Sequence, residues 1–118
     1  MTIAVLGAGM VGRAIALDLS TFFDVTSIDL NEQNLQLLHE RSSNIKTTKA
    51  DLRNTDNYAS LLQPFDIVVT AVPGFMGFET LKAVINVGKN VVDISFFPED
   101  VLPLDALAKE KNITAIVD

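Results

Sequence analysis

Residues Gly7-Ala8-Gly9-Met10-Val11-Gly12 follow directly on a run of β-formers, Ile3-Ala4-Val5-Leu6, and lead into an apolar-periodic segment. A strand that ends in G-x-G-x-x-G and continues as a helix constrains the fold more than any other feature of this chain. The first glycine permits a sharp turn at the strand's end. The second lets backbone approach a ligand with no Cβ in the way, and the third lets the helix lie close to the strand. The helix start offers N–H groups that lack intrahelical partners, together with a partial positive charge. In this context the motif is the fingerprint of a dinucleotide pyrophosphate site, with Gly7, Ala8, Gly9, Met10, Val11 and Gly12 as its candidate residues.

The remaining chain alternates strand and helix signals, as that fingerprint requires. Thr2 to Leu6 reads as the first strand. A helix from about Met10 to Ser20 follows, with Val11, Ala14, Ile15 and Leu19 expected inward. Asp24 to Asp29 is the second strand, and Asn31 caps a helix that runs to about Arg41 with Leu35, Leu38 and Leu37 inward. Ile45 to Ala50 is a more polar strand, suited to a sheet edge, and a short helix capped by Asn54 or Thr55 ends before Pro64. Ile67 to Val72 is nearly continuous apolar sequence, as expected of a central parallel strand. A helix from about Met76 to Asn86, a strand from Asn90 to Ile94, a helix from Asp105 to Lys111 and a strand from Ile113 to Val117 complete the pattern. Six strands with helical links predict an α/β fold: a Rossmann-type, doubly wound parallel sheet of order 3-2-1-4-5-6, in one domain spanning residues 1–118.

Composition excludes several classes of function. Fifteen acidic and nine basic residues give a formal charge of −6, which repels nucleic acid and anionic membranes. No stretch approaches the roughly 20 apolar residues of a membrane helix, and no basic, apolar leader opens the chain. The absence of cysteine removes disulfides and thiolate metal sites, and fits a cytoplasmic location. His39, the single histidine, lies mid-helix beside Glu40 and Arg41 and reads as solvated surface. No nucleophile–base pair or metal spacing is visible, so no catalytic or metal-binding residue is assigned.

Further candidates fall at the carboxyl ends of the strands, where ligands meet such sheets. Asp29 closes the second strand 22 positions beyond Gly7, the spacing of the carboxylate that accepts from the adenosine ribose; the competing reading is a loop aspartate that caps the next helix. With Leu30 beside it and no Arg or Lys before Arg41, it points to NAD over NADP, because a carboxylate repels a 2′-phosphate. Asp51 and Leu52 close the third strand, where Asp51 either accepts from the adenine amine or caps a surface loop. Ala71-Val72-Pro73, before Gly74, is a small-residue turn that can pass close to the cofactor's second ribose or can merely stop the strand. Phe75, Phe78, Phe96 and Phe97 follow the fourth and fifth strands, either lining the ligand edge or filling core.

The stretch Val5 to Ala16, together with Ala50-Asp51-Leu52, Asp66 to Pro73 and Gly88 to Ser95, resembles the N-terminal cofactor domain of the saccharopine dehydrogenase family, which includes lysine 6-dehydrogenase-like and carboxynorspermidine-forming relatives. The resemblance implies an oxidoreductase that acts on carbon–nitrogen bonds of amino acids. It also implies a further substrate domain, carrying most acid–base groups, that would begin after position 118. One departure bears on the cofactor: members using NADP tend to carry an arginine soon after the second-strand acid, where this chain has Leu30-Asn31. Two alternatives stand beside this reading. One is a non-catalytic nucleotide sensor like the regulatory domains of potassium-uptake systems, although those usually carry glycine where this chain has Ala50 and lack the Ala71-Val72-Pro73 turn. The other is an assembly domain with a degenerate site, against which the intact glycines and Asp29 speak. Exposure of the apolar ligand edge would favour self-association or contact with a substrate domain.

Overall fold

In the computed structural model, which describes residues 1–117, six parallel strands form one sheet in the order β3-β2-β1-β4-β5-β6. The strands are β1 (Thr2–Leu6), β2 (Asp24–Asp29), β3 (Lys46–Lys49), β4 (Ile67–Thr70), β5 (Asn90–Asp93) and β6 (Ala115–Val117). They are linked by α1 (Met10–Leu19), α2 (Glu32–Arg41), a 3₁₀ turn with α3 (Tyr58–Leu62), α4 (Gly74–Asn86) and α5 (Leu102–Glu110). The chain winds from β1 toward β3 on one side and from β4 toward β6 on the other. The crevice between β1 and β4 is therefore the point where the winding reverses, the usual ligand position in such sheets. Register brings the strand ends level there: Leu6 pairs with both Ile28 and Thr70, and Thr70 with Asp93.

Alternation along β1 distributes its side chains between two cores. Ala4 and Leu6 join Leu62, Leu81 and Leu104 on the face covered by α3, α4 and α5. Ile3 and Val5 join Ala16 and Leu38 on the face covered by α1 and α2. Both faces of the central strands are thus dry, which is why β4 reads as an unbroken apolar run. All four residues of β3 are exposed, as suits an edge strand with a lysine at each end.

The structure corrects several expected details. In α1 the buried residues are Gly12 and Ala16, whereas Val11 and Ala14 are exposed and Ile15 and Leu19 half-buried. The helix approaches so closely that its inward face is centred on its smallest residues, and Val11 turns outward. Leu37 is likewise exposed, leaving Leu35 and Leu38 as the inward pair of α2. The fourth strand stops at Thr70, so Ala71-Val72-Pro73 is turn, and α4 begins at Gly74 with Pro73 at its N-cap. Helix α5 starts earlier than expected, at Leu102, with Pro103 in its first turn, where the missing N–H has no helical partner to lose. Among the described residues no helix is long and apolar enough to cross a membrane.

Candidate functional site

A cavity of about 880 Å³ runs along the carboxyl edge of the sheet across the β1/β4 crevice. Five loops supply its walls, the one after β5 adding Ile94, Ser95 and Phe96, and they bring together all but one of the candidate cofactor-binding residues read from the sequence. The first loop contributes Gly7, Gly9, Met10, Val11 and Gly12; the end of β2 contributes Asp29 and Leu30. The end of β3 adds Asp51 and Leu52, and the turn after β4 adds Ala71, Val72 and Pro73. Ala8 is the exception: it is fully buried, and its backbone, not its side chain, braces the loop.

The glycines of this loop differ in what fixes them. Gly7 has φ +104°, and a Cβ on it would overlap the Ala71 carbonyl oxygen; a Cβ on Gly12 would overlap the Gly7 carbonyl oxygen. The protein's own packing therefore demands both. Gly9 has ordinary extended backbone (φ −67°, ψ −172°), and a Cβ there would meet nothing within 4 Å. Packing gives no reason for glycine at position 9, and the free space before it is open cavity. A residue kept minimal against empty space is what a closely approaching ligand requires.

Asp29 ties this loop to the second strand. Its Oδ2 accepts from the Ala8 N–H at 2.7 Å and its Oδ1 from the Asn31 N–H at 2.9 Å. Asn31 in turn caps α2 by accepting from the Asn34 N–H at 3.1 Å, as the sequence predicts. Arg13, which the sequence reading passed over, donates through Nη1 to the Ala8 carbonyl at 2.9 Å and to Asn34 Oδ1 at 3.1 Å. One carboxylate and one guanidinium thus hold the loop between them. The only sequence signal for Arg13 was its position directly after the third glycine.

At the β3 end, Asp51 holds Arg53 in a two-pronged pair: Nε to Oδ1 and Nη2 to Oδ2, each 3.0 Å, with the Arg53 N–H on Oδ1 as well. The guanidinium, above all by its side-chain hydrogen bonds, holds the Asp51 carboxyl below the usual aspartate value, and Asp51 raises Arg53 in return. Arg53 lines the cavity from the loop after β3, and Arg13 reaches the glycine loop from α1, so the basic residues at the site do not come from the chain just after Asp29. Beneath them the Tyr58 hydroxyl donates to the Leu52 carbonyl at 2.6 Å, and burial raises the Tyr58 pKa.

At the opposite end the four phenylalanines divide into two pairs. Phe78 and Phe97 pack edge-to-face, with ring centroids 5.9 Å apart, against the core. Phe75 and Phe96 are about four-fifths exposed and line the cavity. Ser95, which the sequence marks only as the end of the Gly88–Ser95 stretch, also lines the cavity and accepts the Val72 N–H at 2.9 Å. Among the described residues the lining includes two carboxylates and one guanidinium but no histidine or lysine; His39 is exposed on α2, away from it. No group of three potential metal ligands occurs among the described residues. The site is built to hold an elongated ligand by backbone and shape.

Solved structures share the architecture. Apo saccharopine dehydrogenase (L-Glu forming) from Saccharomyces cerevisiae superposes with a TM-score of 0.84 at 21% identity, over 98% of this chain and 26% of that one. GenD2 from gentamicin A biosynthesis, in complex with NAD, gives 0.75 at 21% identity, over 99% of this chain and 34% of that one. UDP-N-acetylglucosamine 3-dehydrogenase from Acidithiobacillus ferrooxidans gives 0.79 at 17%, over 99% and 37%. This chain therefore spans about a quarter to just over a third of the length of these proteins. Residues 3–116 match the family described as the saccharopine dehydrogenase NADP binding domain. With the glycine loop, the strand-end acids and the reversal of winding in place, the chain belongs to the saccharopine dehydrogenase NAD(P)-binding domain family.

Proposed function

We propose that the chain is the cofactor-binding part of an oxidoreductase that moves hydride to or from the carbon of an amino acid's carbon–nitrogen bond, with NAD as its preferred dinucleotide. The observation that carries the site is Gly9, a glycine at which a Cβ would clash with nothing in the fold, facing open cavity at the N-cap of α1. In this reading the Gly7–Gly12 loop and the N-terminus of α1 take the pyrophosphate. Asp29, beside Leu30, accepts from the adenosine ribose; Asp51 and Leu52 border the adenine; and the Ala71-Val72-Pro73 turn passes the second ribose. The bound nicotinamide supplies the hydride chemistry; these residues contribute binding and orientation.

The preference for NAD rests on charge. Asp29 and Asp51 face the adenosine end, the Arg53 guanidinium is already paired with Asp51, and Arg13 is committed to Ala8 and Asn34. A 2′-phosphate there meets an uncompensated carboxylate, a penalty on the order of 1–3 kcal/mol at intermediate dielectric. Competition of NAD and NADP against bound NADH tests this: NAD is expected to displace at five-fold lower concentration or better, and tighter NADP binding would contradict it.

We further propose that the substrate and acid–base groups lie outside these 118 residues. The absence of histidine and lysine from the described lining, and the share of the similar structures that this chain spans, support that division. A non-catalytic nucleotide sensor would use the same cavity, but the family match weighs for the oxidoreductase.

A further inference from the structure

Thr70 and Asp93 are register partners at the last positions of β4 and β5, and neither has any solvent exposure. The Thr70 hydroxyl donates to Asp93 Oδ1, and the Ser95 N–H donates to the same oxygen at 3.2 Å. The Ser95 hydroxyl lies 3.4 Å from the Thr70 carbonyl, to which it donates, and accepts the Val72 N–H at 2.9 Å. The Ile94 N–H closes the set on the Thr70 carbonyl at 3.0 Å. All of these bonds except that of the Ser95 N–H to Asp93, which lies within the β5 segment, cross from β4 and its following turn to β5 and its following loop. The same two segments interlock at Gly74, where a Cβ would overlap the Phe96 carbonyl oxygen.

A carboxylate is an expensive way to fasten two strands. One and two register positions earlier the same strands pair Val69 with Val92 and Val68 with Val91. An aliphatic pair at Thr70 and Asp93 would continue that packing without burying a charged or polar group. Instead, the polar groups stand at the last residues of the strands before the cavity, where a buried hydrogen-bonded network fixes one backbone geometry. What it fixes is the wall made by Val72, Ser95 and Phe96. That wall is on the far side of the glycine loop from Asp29, because β5 and β2 are three strand spacings apart, about 14 Å.

We propose that Thr70, Asp93 and Ser95 are positioning residues for the nicotinamide-ribose half of the dinucleotide, holding the β4–α4 turn and the post-β5 loop as a single rigid wall. This rests on the reading of the cavity as a dinucleotide site. Ser95 acts through the Val72 backbone, and Asp93 acts through Ser95. Neither residue touches the adenosine half in this arrangement.

Two ligands separate this role from a merely structural one: NADH, which fills both halves, and ADP, which carries only the adenosine half. Both are titrated into the purified chain and its variants, NADH by fluorescence and ADP by chemical-shift changes. Ser95→Ala, Thr70→Val and Asp93→Asn are expected to weaken NADH by about tenfold or more while ADP changes by less than about twofold. If Asp93→Asn fails to fold, Ser95→Ala, which removes a single hydroxyl, carries the test. Unchanged NADH affinity, or equal losses for both ligands, would overturn the network's role while leaving the dinucleotide site intact. A wild-type chain that binds neither ligand would overturn the site itself, and the network's role with it.

Discussion

At position 9 a Cβ would meet nothing of the fold, whereas at positions 7 and 12 it would meet backbone. Gly7→Ala and Gly12→Ala push a methyl group into backbone carbonyls, and Gly7 also holds a left-handed φ. Each is expected to cost on the order of 2–4 kcal/mol in chemical denaturation. Gly9→Val, facing open space with ordinary φ, is expected to change stability by less than about 1 kcal/mol. A second expectation at this scale concerns acid. The Thr2 backbone N–H at 2.9 Å, and secondarily the Thr2 hydroxyl, hold the Asp66 carboxyl below its ordinary 3.8. A depressed folded value means stability that is present above the ordinary value and lost as the pH falls through the depressed one. The Asp66→Asn variant should therefore lose less stability than wild type when taken from pH 5 into that acid window, read by thermal melts across pH. An identical slope in both would show that the contact with Thr2 contributes nothing.

At the scale of elements, Asp29 joins β2 to the glycine loop through the Ala8 N–H. Removing the carboxylate leaves a buried N–H on Ala8 without its acceptor. Asp29→Ala should thus lower stability by about 1–3 kcal/mol and also narrow the gap between NAD and NADP affinities, measured by the same competition titration. Sheet order and the Asp29 position were legible from sequence because they depend on local periodicity and on the fixed spacing of one βαβ unit. The packed face of α1 was not, since a pattern reading looks for large apolar residues while close approach at Gly12 buries the small Gly12 and Ala16 and turns Val11 outward. Arg53 escaped for a different reason. The chain just after Asp29 carries no Arg or Lys, whereas β3 runs beside β2, pairs Lys49 with Asp29 and places Arg53 at the cavity four residues later. Thr70 and Asp93 were hidden inside two apolar strings, and only their register shows that they meet.

Over the whole molecule, the carboxyl edge of the sheet is both the ligand cavity and an apolar rim. Phe75, Phe96 and Met10 are each about four-fifths exposed there, and Leu102 opens α5 nearly three-quarters exposed. We propose that a substrate domain covers this rim in the working enzyme, so the isolated chain should self-associate through it. Sedimentation velocity checks this: a concentration-dependent shift is expected for wild type and a monodisperse monomer for Phe75→Ser/Phe96→Ser, while a wild type that stays monomeric at high concentration would contradict it. On the proposed division, which puts general acid–base help and orientation of the second reactant, worth at least about 10²–10⁴ in rate, outside these residues, the chain alone should also give no amino-acid-dependent change in absorbance at the reduced-nicotinamide band. Beneath these expectations stands the binding of a dinucleotide across the Gly7–Gly12 loop. Calorimetric titration of NAD into wild type and Gly9→Val, with thermal midpoints recorded beside it, addresses that binding. The expected result is saturable one-site binding by wild type and an affinity lower by about tenfold or more in a variant that melts with wild type. Equal affinity in both, or no binding by wild type, would contradict it.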